Sequence, residues 1–184
     1  MPYRGGHGND KINRRNIDDI EKWYRSKRFV IAYTDGCCPN NGYATQAGIG
    51  VYWPYEPHLN ISEPLDDDIK TNQTAEIQAI LEAISTANDN LIFDKIVIFT
   101  DSEYAINCLT KFYKKWRRNG WQTCKGTDVT HGPQIREILD MIDEYDIEVK
   151  YEKVKAHDGI YGNIQADRLA NKGAERDQEY YRIG

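Results

Sequence analysis

Two apolar, β-rich runs in this chain end alike. Phe29-Val30-Ile31-Ala32-Tyr33 runs into Thr34-Asp35, and Ile96-Val97-Ile98-Phe99 runs into Thr100-Asp101. Short runs of β-branched and aromatic residues read as buried strands. In open α/β sheets, ligands gather beyond the carboxyl ends of the strands. Two strands that each deliver a carboxylate to that place constrain the fold strongly. If they are neighbours, the carboxylates lie close together and repel. Repulsion and desolvation are then costly unless a cation sits between them.

The other segments supply a sheet for these strands. Ala47–Trp53 alternates as a second strand should, and a third is expected near Leu59–Glu63. This is a meander, so antiparallel pairing is expected. Over Thr71–Asn88 the period changes: Ile77, Ile80, Leu81 and Ile84 form the stripe of an amphipathic helix. A helix through Ala105–Leu109 leads into a basic, aromatic stretch that ends at Trp121. Ile135, Ile138, Leu139 and Ile142 mark another helix, with Pro133 in its first turn. Ile147–Val154 reads as the fifth strand. A last helix, Asn163–Glu175, carries Ala166, Ala170, Gly173 and Ala174, small enough for close packing on a sheet. Strands first and βαβ alternation later predict an α/β fold with one mixed sheet.

The chain has 184 residues, a length that suits one domain. No apolar run approaches the ~18 residues of a membrane span, and no signal-peptide core follows Met1. The four cysteines form no CxxC pair, and the four histidines complete no zinc spacing. Reduced thiols in an intracellular protein are expected, with no signal that assigns nucleus, mitochondrion or cytoplasm. Residues 1–28 hold eight Lys/Arg, four Asp/Glu and little apolar periodicity. They read as a basic, flexible extension with a short helix near Ile17–Tyr24. Asp10, Asp18, Asp19 and Glu21 argue against a transit peptide. Residues 29–176 form the folded unit and 177–184 a tail.

The net charge of −5 discourages nucleic-acid binding until it is divided along the chain. Lys111, Lys114, Lys115, Arg117, Arg118 and Lys125 stand in a stretch with no acidic residue. Phe112, Tyr113, Trp116 and Trp121 are interleaved with them. Outside this stretch and the first 28 residues, the chain has 10 basic and 25 acidic residues. A cationic patch therefore sits beside an acidic body.

Two more carboxylates belong with Asp35 and Asp101. Glu76 lies one turn into the first amphipathic helix, on the flank of its apolar stripe. Asp167 lies one turn before Ala170, beside the small-residue face of the last helix. Taken singly, an Asp after a strand is often a turn former, and a Glu on a helix flank is usually solvated. Together, four hard oxygen ligands suit Mg²⁺ or Mn²⁺. Two such ions about 4 Å apart suit in-line phosphoryl displacement.

These contexts resemble the type 1 ribonuclease H family in its eukaryotic-like form. The matching segments are Tyr-Thr-Asp-Gly-Cys-Cys (33–38), Ala-Gly-Ile-Gly-Val-Tyr-Trp (47–53), Thr-Asn-Gln-x-Ala-Glu-Ile (71–77), Thr-Asp-Ser (100–102) and Asn-Gly-Trp (119–121). His-x-Gly-x-x-Gly-Asn-x-x-Ala-Asp-x-Leu-Ala (157–170) completes the set. The segments occur in the family's order over about residues 29–176. The resemblance implies a ribonuclease H-like fold, a five-stranded mixed sheet with helices on both faces. It implies a monomeric endoribonuclease, with no membrane partner, that cuts the RNA strand of RNA–DNA hybrids. The products would carry 5′-phosphate and 3′-hydroxyl ends.

The resemblance also assigns roles. Asp35, Glu76, Asp101 and Asp167 match the carboxylates that hold two Mg²⁺ ions, with Mn²⁺ as substitute. His157 matches a histidine on a mobile loop that assists turnover, and Gly159 and Gly162 would let that loop move. Asn41, Asn72 and Gln73 match residues that read the RNA strand, with backbone contacts from Cys37 and Cys38. The 2′-hydroxyl distinguishes RNA from DNA, and amides both donate and accept. The DNA strand would meet Tyr104, Phe112, Trp116, Trp121, Lys114, Lys115, Arg117 and Arg118. Thr71 and His131 would grip a DNA phosphate, with Lys70 a substitute donor.

His131 departs from the family's usual Asn, and Ala156 from its usual Gly. Residues 1–28 are too short for the separate hybrid-binding domain that many relatives carry. Two rivals remain in view: an inactive hybrid-binding module, and a 3′–5′ exonuclease. The exonuclease reading is disfavoured, because Gly36-Cys37 follows Asp35 where such enzymes place x-Glu.

Overall fold

The apolar runs form strands, and the strands form one sheet. The computed structural model describes residues 16–39 and 46–183. Its strands are β1 (Phe29–Cys37), β2 (Gly48–Tyr52), β3 (Ile61–Pro64), β4 (Lys95–Thr100) and β5 (Val149–Lys153), in the order β3-β2-β1-β4-β5. β1, β2 and β3 pair antiparallel, whereas β4 runs parallel to both β1 and β5. The sheet is therefore mixed, as expected.

Among the described residues, six α-helices surround it: α1 (Ile17–Arg25), α2 (Asn72–Asn90), α3 (Glu103–Asn107), α4 (Tyr113–Arg118), α5 (Gly132–Glu144) and α6 (Tyr161–Ile183). A π-helical turn, Cys108–Phe112, joins α3 to α4. On one face, α2 and α5 bury Ile77, Ile80, Ile84, Ile135 and Ile138 against Ala32, Ile96 and Ile98. On the other, α1 and α6 cover Ile31, Tyr33, Val97 and Phe99. Alternation along each strand sends neighbouring residues to opposite faces.

Glycines let helix backbones lie directly on the sheet. A Cβ on Gly50 would stand 2.5 Å from the backbone nitrogen of Ala170, and one on Gly48 would stand 2.6 Å from the carbonyl carbon of Gly173. The small residues of α6 serve the close packing their spacing predicts. The backbone of α2 lies against Gly36 in the same way.

The short helix expected near Ile17–Tyr24 is present as α1, but it packs on the sheet rather than belonging to a flexible extension. Ile17, Ile20 and Tyr24 follow helical spacing and are buried in α1. Hydrophobic burial fixes the segment, and the many basic residues around it conceal that short stripe. Residues 1–15 lie outside the described residues. At the other end, α6 continues to Ile183, through most of the expected tail. Cys37, Cys38, Cys108 and Cys124 are free thiols. No described helix is long and apolar enough to cross a membrane.

Candidate active site

β1 and β4 are parallel neighbours with Tyr33 level with Phe99. Two residues beyond that pair stand Asp35, still on β1, and Asp101, which directly follows β4, and the two carboxylates face one another. Because side chains alternate, Asp35 shares the face of Tyr33, the one α6 covers. α6 brings Asp167 to that face. α2, drawn in against Gly36, brings Glu76 to the same end of the sheet.

The electrostatics record the convergence. Burial pushes the Asp35 carboxyl up to about 8, aided by the negative charges of Asp101, Asp167 and Glu76, against the pull of the Gly36 N–H. Burial also raises Glu76; the Ser102 hydroxyl opposes that rise, and Asp101 adds to it. Asp35, Asp101 and Asp167 line a recess of about 50 Å³, together with Lys155, His157 and Asn163.

Each carboxylate has a polar neighbour. The Gly36 N–H donates to Asp35 Oδ1 at 2.8 Å. The Ser102 hydroxyl donates to Glu76 Oε2, and Ser102 Oγ accepts from the Ala105 N–H at 3.1 Å, capping α3. Asn163 Nδ2 donates to Asp101 Oδ2 at 3.2 Å. Asn171 Nδ2 donates to Asp167 Oδ1 at 3.1 Å, while the Cys37 thiol donates to Asn171 Oδ1 at 3.1 Å. Ser102, Asn163 and Asn171 were not singled out from the sequence as site residues. The available signal is spacing: Ser102 follows Asp101, and the two asparagines stand four residues either side of Asp167 on one helix.

The donor set fits hard divalent cations. It consists of carboxylate oxygens, and Asp35 resists losing its proton while the others face it. The four do not form a closed cage. Among the described residues, no three His, Cys, Asp or Glu side chains are placed to hold an ion between them.

His157 sits on the loop at the rim of the recess, with left-handed backbone (φ 55°). Gly159 (φ 74°) supplies a second left-handed turn in that loop. Gly162 serves a different purpose from the expected loop mobility. It belongs to α6, and a Cβ there would stand 2.5 Å from the Tyr33 ring carbon Cζ. The position needs glycine because an aromatic ring lies against it.

The residues expected to read RNA divide. Asn72 Oδ1 accepts from the Cys38 N–H at 2.7 Å, so that N–H is already engaged and the pair braces β1 against the start of α2. Cys38 is buried, and its thiol donates to the Lys70 carbonyl at 3.3 Å. Cys37 is half-buried, and burial pushes its thiol up to about 11. Gln73 is exposed on the first turn of α2. Asn41 lies outside the described residues.

The basic face carries the aromatic interleaving. Phe112, Trp116 and Trp121 stand in sequence, with ring centroids 5.8 and 6.4 Å apart. Trp116 and Trp121 pack partly on the main core, while Phe112 is exposed. Lys111, Phe112, Lys115 and Trp116 border a groove of about 470 Å³. Lys114, Lys115, Arg117 and Arg118 are exposed. Arg117 faces Asp143 at 3.5 Å.

Thr71 caps α2 by accepting from the Thr74 N–H at 3.1 Å. His131 precedes α5, is only 3% exposed and meets the Tyr104 ring edge-on at 5.7 Å. Burial lowers its pKa, and Asp67 offsets part of the fall.

A family model described as RNase H matches residues 27–175. The chain is 40% identical over 151 residues to Ribonuclease H1 of Mus musculus, covering 82% of this chain and 52% of that protein. It is 32% identical over 147 residues to Ribonuclease H of Alcanivorax borkumensis, covering 79% of this chain and 91% of that protein. Among solved structures, the PFV RNase H domain superposes with a TM-score of 0.63 at 27% identity, covering 80% of this chain and 94% of that chain. The chain spans about half the length of the mammalian relatives it matches.

Proposed function

The chain belongs to the RNase H family, and on that premise we propose that it hydrolyses the RNA strand of RNA–DNA hybrids. Asp35, Glu76, Asp101 and Asp167 would hold two Mg²⁺ ions, with Mn²⁺ substituting. Bound there, divalent ions lower the pKa of the attacking water and offset charge on the leaving oxygen. Attack at phosphorus breaks the bond to the 3′ oxygen, so the products carry 5′-phosphate and 3′-hydroxyl ends.

The chain's own residues do the positioning. Ser102 orients Glu76, Asn163 orients Asp101, and Asn171 orients Asp167. His157, at the rim, assists product departure. Gln73 and the Cys38–Asn72 brace form the RNA side, where amides distinguish a 2′-hydroxyl. Lys114, Lys115 and Arg118, with the rings beside them, hold the DNA strand by charge and packing. The protein acts as a monomer.

One observation supports this reading most. Asp35 on β1 and Asp101 just past the end of the adjacent parallel β4 face one another, with Glu76 and Asp167 brought to them by the two helices packed closest to the sheet.

The test uses internally labelled RNA–DNA hybrid, RNA duplex and DNA duplex, each incubated with the protein and Mg²⁺. Cleavage of the hybrid alone is expected. Equal cleavage of DNA duplex overturns the reading. Hybrid binding with no cleavage in Mg²⁺ or Mn²⁺ replaces it with a binding module.

A further inference from the structure

α1 precedes the segment that the family model matches, yet it is built into the sheet. Ile17, Ile20 and Tyr24 are buried with Ile31, Tyr33, Val97, Phe99 and Val154. Two side chains anchor it further. The Tyr24 hydroxyl donates to Glu152 on β5 and accepts from Lys150 at 2.5 Å. Glu21 accepts from the Tyr33 hydroxyl, and its other oxygen accepts from the Tyr55 hydroxyl at 2.7 Å.

Tyr33 connects α1 to the site. Its ring stacks on Phe99, centroids 4.8 Å apart and planes 17° from parallel. The backbone of Gly162, in the first turn of α6, lies against the same ring. Ile160, the last residue of the His157 loop, is 1% exposed and sits in the cluster that holds Ile17, Ile20 and Tyr24. Gly159, Ile160 and Ile164 line the recess on one side. On the other they line a cavity of about 480 Å³ walled by Ile17, Asp18 and Glu21. The segment carrying His157 is thus a partition between the carboxylates and α1.

We propose that α1 positions the His157 loop: Glu21 fixes the Tyr33 ring on which Gly162 rests, and the apolar face of α1 holds Ile160. Glu21 is a positioning residue and touches no reacting atom. Without its carboxylate, two tyrosine hydroxyls lose their acceptor, and the ring under Gly162 is held by packing alone. The loop then samples positions in which His157 is withdrawn from the rim. On the proposed reading, substrate is held by the cationic face, whose Trp116 and Trp121 pack with the α2–α5 cluster away from α1, so turnover suffers and binding does not.

The effect on turnover rests on the ribonuclease reading above; the effect on the loop does not. The test compares the full chain with Glu21→Ala and Glu21→Gln. Hydrogen exchange of residues 155–164 should quicken about fivefold in Glu21→Ala and return toward wild type in Glu21→Gln, whose amide oxygen can still accept from Tyr33 while its amide N–H donates to the Tyr55 hydroxyl. Steady-state cleavage of hybrid by Glu21→Ala should show kcat reduced about fivefold with KM within about twofold, again recovered by Glu21→Gln. Faster exchange confined to α1, with 155–164 unchanged, overturns the proposal. So does faster exchange in the loop with kcat unaltered. If the wild-type chain cleaves no hybrid, the ribonuclease reading fails, and the exchange measurement alone decides whether α1 holds the loop.

Discussion

The backbone of Glu76 lies directly against Gly36, one residue beyond Asp35. A Cβ at Gly36 would stand 2.5 Å from the carbonyl carbon of Ala75, and nothing at that contact is a flexible side-chain end. The lack of a side chain at one position therefore sets the distance between two carboxylates. Gly36→Ala should destabilise the fold by about 3 kcal/mol in urea denaturation. It should also lower cleavage more than an equally destabilising core substitution such as Ile138→Ala, because α2 must retreat from Asp35.

Asp101→Asn removes a charge that faces both Asp35 and Glu76. Hybrid cleavage should fall by at least about a thousandfold. Affinity for hybrid, measured by anisotropy in Ca²⁺ or without divalent ions, should stay within about threefold, since the cationic face is untouched. Surviving activity would remove Asp101 from the ligand set.

Ser102 has two duties, as cap of α3 and as donor to Glu76. Ser102→Ala should cost about 1 kcal/mol of stability through the lost cap. Ser102→Asn keeps a capping oxygen but changes what reaches Glu76, so it should recover stability without recovering cleavage. Parallel recovery of both would assign Ser102 to folding alone.

His131 gives a pH signature. Its folded pKa lies below its ordinary 6.5, chiefly through burial. Above 6.5 both folded and unfolded forms are neutral, and its contribution to stability is fully present. As pH falls below 6.5 the unfolded form takes up the proton first, and stability is lost until the folded form titrates as well. The urea midpoint of His131→Asn should fall less than that of wild type between about pH 7.5 and about pH 5.5. Equal falls would show that His131 is not the source.

Arg117 and Arg118 are adjacent but differ in surroundings, because Arg117 faces Asp143. Arg118→Ala should reduce the slope of log affinity against log salt by up to about 0.9, one phosphate's worth of released counterion. Arg117→Ala should change the slope less. The reverse order would mean that the Asp143 pair opens on binding.

Much of this arrangement is legible in the sequence for a physical reason. Strand ends and helix flanks follow short-range periodicity, so Asp35 and Asp101 can be put at strand ends and Glu76 and Asp167 on helix flanks, while their joining into one site rests on the family's motifs. Contacts between distant segments leave weaker traces. Ile17, Ile20 and Tyr24 make only a two-turn stripe among basic neighbours, and what buries them is β1, β4 and, just past β5, Val154. Gly162 reads as a hinge until the Tyr33 ring is seen against it. Cys38 offers an N–H to a ligand until Asn72 is seen accepting it. Side-chain partners across the fold carry no local signal.

The bond from Tyr24 to Glu152 joins residues 128 positions apart. A ribosome builds the amino-terminal partner first, so α1 must wait for β5 before that bond can form. During that interval its buried face has β1 and β4 to cover but lacks the anchor that β5 supplies, and a chaperone or a neighbouring nascent chain can compete for it. Closure of α1 onto β5 reports that the last strand has arrived.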